Sequence, residues 1–217
     1  MKVTYLEHRG FAAEYKEYVL MFDWYRGSLP EFDQQKKIYV FASHSHYDHF
    51  NKKIFGWSEQ YPDVRYILSA DIAGKEQSER TVYVTANKKY DFDGIKVQTL
   101  HSTDEGVAFI VYMEDKVIYH AGDLNWWHWE EETESYNEQM RQDYQREIDK
   151  LKDIVIDIAF VPLDPRQENQ YAWGMDYFMK HTHTKYVFPM HMWGDYEVYD
   201  RLMENPEAEP YKERVIE

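Results

Sequence analysis

Six residues, His44-Ser45-His46-Tyr47-Asp48-His49, begin two positions after the all-apolar run 38–42, Ile-Tyr-Val-Phe-Ala. A short run with no polar break is the mark of a strand buried on both faces. Four titratable side chains in six positions then follow it. Burying such a cluster without a cation would cost on the order of several kcal/mol. The stretch therefore predicts a core strand whose carboxyl end is a metal-binding loop. Three other apolar runs end in the same way. His101 follows 95–100, Asp123 lies just past 116–119, and His191 stands three residues past Phe188. Strands of one core that place such groups on a common edge form a rigid platform for a site.

The rest of the pattern predicts a mixed α/β layer architecture within a single domain, 1–217. Short strands are expected at 3–7, 11–15 and 18–23, with breaks at Arg9-Gly10 and Lys16-Glu17. Further strands are expected at 66–68, 81–85, 107–112, 154–163 and 186–188, with Glu114-Asp115 turning 107–112 into 116–119. Helices are expected at 51–60, 130–151 and 174–181. In 130–151 a stripe of Tyr136, Met140, Tyr144, Ile148 and Leu151 faces inward, and the charges fill a solvated face.

Spacing also speaks to the chemistry. In extended chain His44 and His46 point to the same side, because side chains alternate with period two, so both can reach one cation. A turn after them lets Asp48 and His49 swing towards a second position. Imidazole and carboxylate suit zinc, and also manganese or iron. Asp123 can bridge two such cations, and a water held between them is acidified into a nucleophile.

His-Ser-His-Tyr-Asp-His at 44–49 resembles the HxHxDH motif of the metallo-β-lactamase superfamily. The opening Val3-Thr4-Tyr5-Leu6-Glu7-His8-Arg9-Gly10-Phe11 with Leu20-Met21-Phe22-Asp23 looks like that family's first hairpin. Tyr119-His120-Ala121-Gly122-Asp123 and Phe188-Pro189-Met190-His191 look most like the branch containing L-ascorbate-6-phosphate lactonase. The resemblance spans nearly the whole chain. It implies an α/β fold, an αββα sandwich of mixed sheets with outer helices, and two divalent metal ions, zinc before manganese or iron. His44, His46 and His101 would hold the first ion and Asp48, His49 and His191 the second, with Asp123 bridging. Asp48 and Asp123 would also be the catalytic carboxylates. The superfamily's diiron oxygen and nitric oxide reductases carry Glu where this chain has His46, which argues against a redox role.

Charge narrows the substrate. Lys and Arg total 25 against 40 Asp and Glu, a net charge of -15. Such a surface repels polyanions, so a small-molecule substrate is expected, with no nucleic acid and no membrane partner. A nuclease or phosphodiesterase on the same fold is the rival reading, and a non-hydrolytic iron protein the second. The chain has no cysteine and opens without an apolar leader, which leads us to expect a cytoplasmic protein.

Several side chains sit close to these motifs. Asp23 ends a strand near the motif and either hydrogen-bonds a ligand histidine or is a simple turn aspartate. Trp126, Trp127 and Trp129, with Trp193, either wall the cleft or anchor the acidic helix. Arg9 and Arg166 are candidates for an anionic group of the substrate. His120 is expected to be packed or exposed, and His128, His181 and His183 to lie on the surface.

Overall fold

Strands β1 (Lys2–Tyr5), β2 (Phe11–Tyr15) and β3 (Tyr18–Phe22) form an antiparallel meander. Its second turn falls at Lys16-Glu17 as expected, with Lys16 in the left-handed region (φ 49°). Strands β4 (Lys37–Ala42), β5 (Val64–Ser69) and β6 (Thr81–Val84) then add in parallel, giving the sheet order β1-β2-β3-β4-β5-β6. The computed structural model describes residues 1–6, 10–74 and 78–217, so Glu7, His8 and Arg9 lie outside the described residues.

The chain separates between Thr85 and Ala86 into two compact units, and this sheet is the frame of the first. Alternation along β4 puts Ile38, Val40 and Ala42 on the face that packs with Val19, Met21, Ile54 and Tyr66. Tyr39 and Phe41 take the other face, where Phe22 stacks on Phe41 at 4.8 Å. Both faces are buried, which is why the run lacks a polar residue. Each such large apolar side chain contributes roughly 1.5–3 kcal/mol.

The helix expected at 51–60 is instead a 3₁₀ helix, Lys52–Glu59, capped by the Asn51 side chain. The Tyr66 hydroxyl donates to the Ile54 and Phe55 carbonyls, and Ser58 Oγ also donates to Phe55. Those acceptors are the ones an α-helical turn would have used.

The second unit has the sheet order β12-β11-β10-β9-β8-β7. Strands β7 (Lys89–Phe92), β8 (Ile95–His101), β9 (Val107–Met113) and β10 (Lys116–His120) are antiparallel. Strands β11 (Val155–Pro162) and β12 (His183–Met190) run parallel to β10. Strand β7 was not expected, because its four residues read as half charged. The two-residue hairpin signal Asp93-Gly94 that follows it is plain in the sequence.

Helix α1 (Glu134–Ile148) starts four residues later than expected because Thr133 caps it, accepting from the Tyr136 amide at 3.2 Å. Its inner face is also turned by one residue. Tyr136 is 42% exposed, while Asn137 is buried and clamps both backbone groups of Trp129, at 2.8 and 3.1 Å. Glu147, read from its charge as solvated, is buried too. Helix α2 (Trp173–His181) packs its Gly174 against Asn125, and Tyr144 of α1 donates to the Gly174 carbonyl at 2.7 Å. The short helix α3 (Glu197–Glu204) escaped the periodicity because only Val198 and Leu202 are buried on it. No helix among the described residues is long and apolar enough to cross a membrane.

Candidate metal centre

In the first unit β3, β4 and β5 run in one direction, so their carboxyl ends share an edge. Asp23 leaves β3 in the left-handed region (φ 47°), a strained turn that aims its carboxylate along that edge. It is fully buried and accepts three hydrogen bonds. Ser43 N–H and Ser43 Oγ donate at 2.7 Å each, and His49 Nδ1 donates at 2.7 Å. That last bond fixes the imidazole tautomer and leaves Nε2 with its lone pair. Having given its proton to Asp23, Ser43 Oγ accepts from His44 Nδ1 at 3.0 Å, so His44 also keeps its lone pair on Nε2.

His44 Nε2 lies 3.0 Å from His46 Nδ1, and the His44 and His49 rings are 3.9 Å apart. Two nitrogens about 2.05 Å from a tetrahedral zinc stand ~3.3 Å apart, so this pair is close to ligand spacing. The Ser45 amide donates to Asp71 at 2.6 Å and pins the loop to the end of β5. Asp48 is buried in the same turn, while His46 faces outward.

In the second unit β8, β10, β11 and β12 share a direction, and the register carries His101, Gly122, Pro162 and Met190 to one level. The edge therefore holds His101, Asp123, Asp164 and His191. His191 sits in the left-handed region at φ 71°. Its Nδ1 donates to Asp164 Oδ2 at 2.8 Å, and its Nε2 is 3.0 Å from Asp123 Oδ1. Asp164 also accepts from Trp193 Nε1 at 3.2 Å and from the Arg166 amide and guanidinium. Burial pushes the Asp164 carboxyl up, but the His191 and Arg166 hydrogen bonds and charges win and hold it well below the ordinary carboxylate range.

Asp123 is steadied by its own neighbours. Trp127 Nε1 donates to the Asp123 carbonyl at 2.9 Å, and Thr103 Oγ1 donates to the Asn125 carbonyl at 2.6 Å. At the end of β8 the His101 amide donates to Glu147 at 3.1 Å, while no hydrogen bond joins its exposed ring to another described residue.

Within the first unit the structure thus brings together His44, His46 and His49, and within the second Asp123 and His191. Asp23 takes the part expected of it. Asp164 was missed, although Leu163-Asp164 ends an apolar run as plainly as Leu100-His101 does. The tryptophans divide. Trp127 is buried with its ring 5.4 Å from His191, and Trp129 stacks on it at 5.8 Å. Trp126 instead packs on Trp173 and Tyr177 of α2. It was the Trp129 backbone, not an indole, that anchors the acidic helix. His120 is packed, accepting from the Gly122 amide at 3.1 Å. His181 and His183 are exposed, but His128 is half-buried against Trp173.

No family model matches the chain. By sequence it is similar to a UPF0173 metal-dependent hydrolase from Desulforamulus reducens, with 28% identity over 141 residues. That match covers 57% of this chain and 62% of the relative, so the chain spans less than two thirds of the relative's length. By structure it is similar to the metallo-β-lactamase fold protein YhfI from Bacillus subtilis, with a TM-score of 0.63, 11% identity, and 97% and 87% of the two chains covered. The fold is that of the metallo-β-lactamases. The chain is also similar in structure to Igni18, a metallo hydrolase from Ignicoccus hospitalis, with a TM-score of 0.61, 16% identity, and 87% and 81% of the two chains covered. Relatives by sequence and by structure thus include metal-dependent hydrolases.

Proposed function

We propose that this chain is a metal-dependent hydrolase that uses two divalent metal ions on a small ester, lactone or phosphoester. The observation that carries the reading is the pair of buried carboxylate–imidazole bonds, Asp23 to His49 at 2.7 Å and Asp164 to His191 at 2.8 Å. A histidine whose Nδ1 is held by a carboxylate presents a basic Nε2, the usual arrangement behind a metal ligand. His44, His46 and His101 would hold one ion and Asp48, His49 and His191 the other, with Asp123 shared. Two such ions would acidify a water and polarise the scissile carbonyl or phosphoryl group.

The chain's own residues supply the rest. Asp23 and Asp164 keep two imidazoles in the ligating tautomer, and Trp127 holds the Asp123 backbone still. Trp127, Trp129 and the indole of Trp193 make an apolar flank beside His191 that suits the face of a ring. The motif likeness to the L-ascorbate-6-phosphate lactonase branch supports a lactone within this substrate class. The net charge of -15 supports a small substrate over a polyanion.

The test combines metal analysis with a substrate screen. Protein purified without chelator should carry close to two zinc or manganese ions per chain and hydrolyse small esters or lactones. At most one metal after reconstitution would end the binuclear reading. Faster cleavage of RNA or DNA than of any small substrate would turn it towards a nuclease, and iron with no hydrolysis towards redox chemistry.

A further inference from the structure

Asp164 and Asp23 do the same work for their histidines with different neighbours. Asp23 accepts from Ser43 N–H, Ser43 Oγ and His49 Nδ1. Asp164 likewise has three donors without any guanidinium: the Arg166 amide, His191 Nδ1 and Trp193 Nε1. The guanidinium of Arg166 adds to this brace with one edge only. It is held in a defined pose, with Nε and Nη2 on Asp164, its centre 4.3 Å from the Trp193 ring and 5.7 Å from the Trp129 ring. Its side chain is 46% exposed, and Nη1 makes no hydrogen bond to a described residue.

A planar guanidinium fixed on one edge and stacked on indole presents its other edge as a fork for a carboxylate or phosphate. Arg166 and His191 bind the same oxygen of Asp164. An oxyanion on that fork would therefore sit within a small molecule's length of whatever His191 ligates. Trp193, 38% exposed, supplies a flat surface between the two.

We infer that Arg166 is the substrate's anion anchor, so that the preferred substrates are small organic acids or phosphates bearing the scissile bond a few atoms from a spectator oxyanion. The inference rests on the hydrolase reading and narrows it. Arg166 is a specificity-determining residue here and takes no part in bond breaking.

Two chromogenic esters with one leaving group test it: neutral 4-nitrophenyl acetate and the anionic half-ester mono-4-nitrophenyl adipate, whose chain is too long for its own carboxylate to attack the ester readily. The metal-loaded wild type should favour the half-ester at least tenfold in kcat/KM. Arg166→Met should lose that preference through KM, and Arg166→Lys should fall between. Succinate should also alter the tryptophan fluorescence of chelator-treated wild type, since Trp129 and Trp193 flank the guanidinium, and the Met variant should lose this response. Equal losses on both esters, or loss of bound metal in Arg166→Lys, would make Arg166 a brace and overturn the inference. So would a wild type blind to succinate. If neither ester is hydrolysed while succinate still binds through Arg166, the anchor stands and the hydrolase reading fails.

Discussion

The two units solve one problem with different materials. Each buries an aspartate at a strand end and hangs a histidine from it by Nδ1, but the surroundings diverge. Asp23 is enclosed by neutral donors from Ser43 and is fully buried. Asp164 reaches outward through Arg166 and Trp193 to a half-exposed aromatic rim. A fully buried brace is little screened by salt, whereas one that ends in an exposed guanidinium can be read from solution. The first unit is built for constancy, and the second couples its histidine to what lies at the surface.

The largest effect should come from Asp123, the carboxylate proposed to be shared. Asp123→Asn should lower turnover by two orders of magnitude or more while far-ultraviolet dichroism stays unchanged, because an amide is a poor shared ligand. Unchanged turnover with both metals retained would remove Asp123 from that role. Next come the braces themselves. Asp23→Asn and Asp164→Asn should each cost about 10–100-fold in affinity for one metal equivalent, measured by competition with a chelator. The losses should fall on different equivalents only if other ligands separate the two, so identical binding curves for the two variants would show both histidines serving one ion.

Smaller effects separate the surroundings. Ser43→Ala removes a buried bridging hydroxyl and should destabilise the fold by about 1–3 kcal/mol. Arg166→Met removes a half-exposed guanidinium from a buried carboxylate that keeps three other donors, and should cost about 1 kcal/mol. Chemical denaturation of both would rank them, and the reverse order would break the contrast.

The smallest effect lies on α2. Burial raises the Asp176 carboxyl above its ordinary value, despite the Tyr211 hydroxyl donating to it and Lys180 nearby. A raised carboxyl favours the protonated form in the folded state, so its ionisation costs stability as pH rises through the folded value. Asp176→Asn should therefore raise the melting temperature by about 1–3 °C at pH 7 and leave it unchanged near pH 3.5. A stabilisation that persists in acid would contradict this.

Most of this was legible where the chemistry is local in sequence. The runs ending at Ala42, Leu100, Tyr119 and Phe188 announced four strand ends, and the groups just past them are where the edges lie. Asp23 could be read because it also ends a strand. Asp164 also ends an apolar run, but it is the register of β11 with β12 that brings it beside His191. Glu147 and Asn137 were illegible for the opposite reason. Polarity assigned them to solvent, and partners far along the chain, the amides of His101 and Trp129, draw them inside. Helical periodicity locates a face to within about one residue, and here that one residue decided which side chain was buried.

Gly174 shows how far the constraint spreads. A Cβ placed there would come within 1.9 Å of the Asn125 amide, whose own residue is only two along from Asp123. Nothing about a glycine in the first turn of a helix suggests a link to metal chemistry. Yet any larger residue must displace the Asn125 side chain, whose backbone is clamped by Thr103 beside Asp123. In a saturation scan scored on activity, position 174 should look as intolerant as a ligand, and a map of essential residues drawn from such a scan would overstate how many of them touch metal.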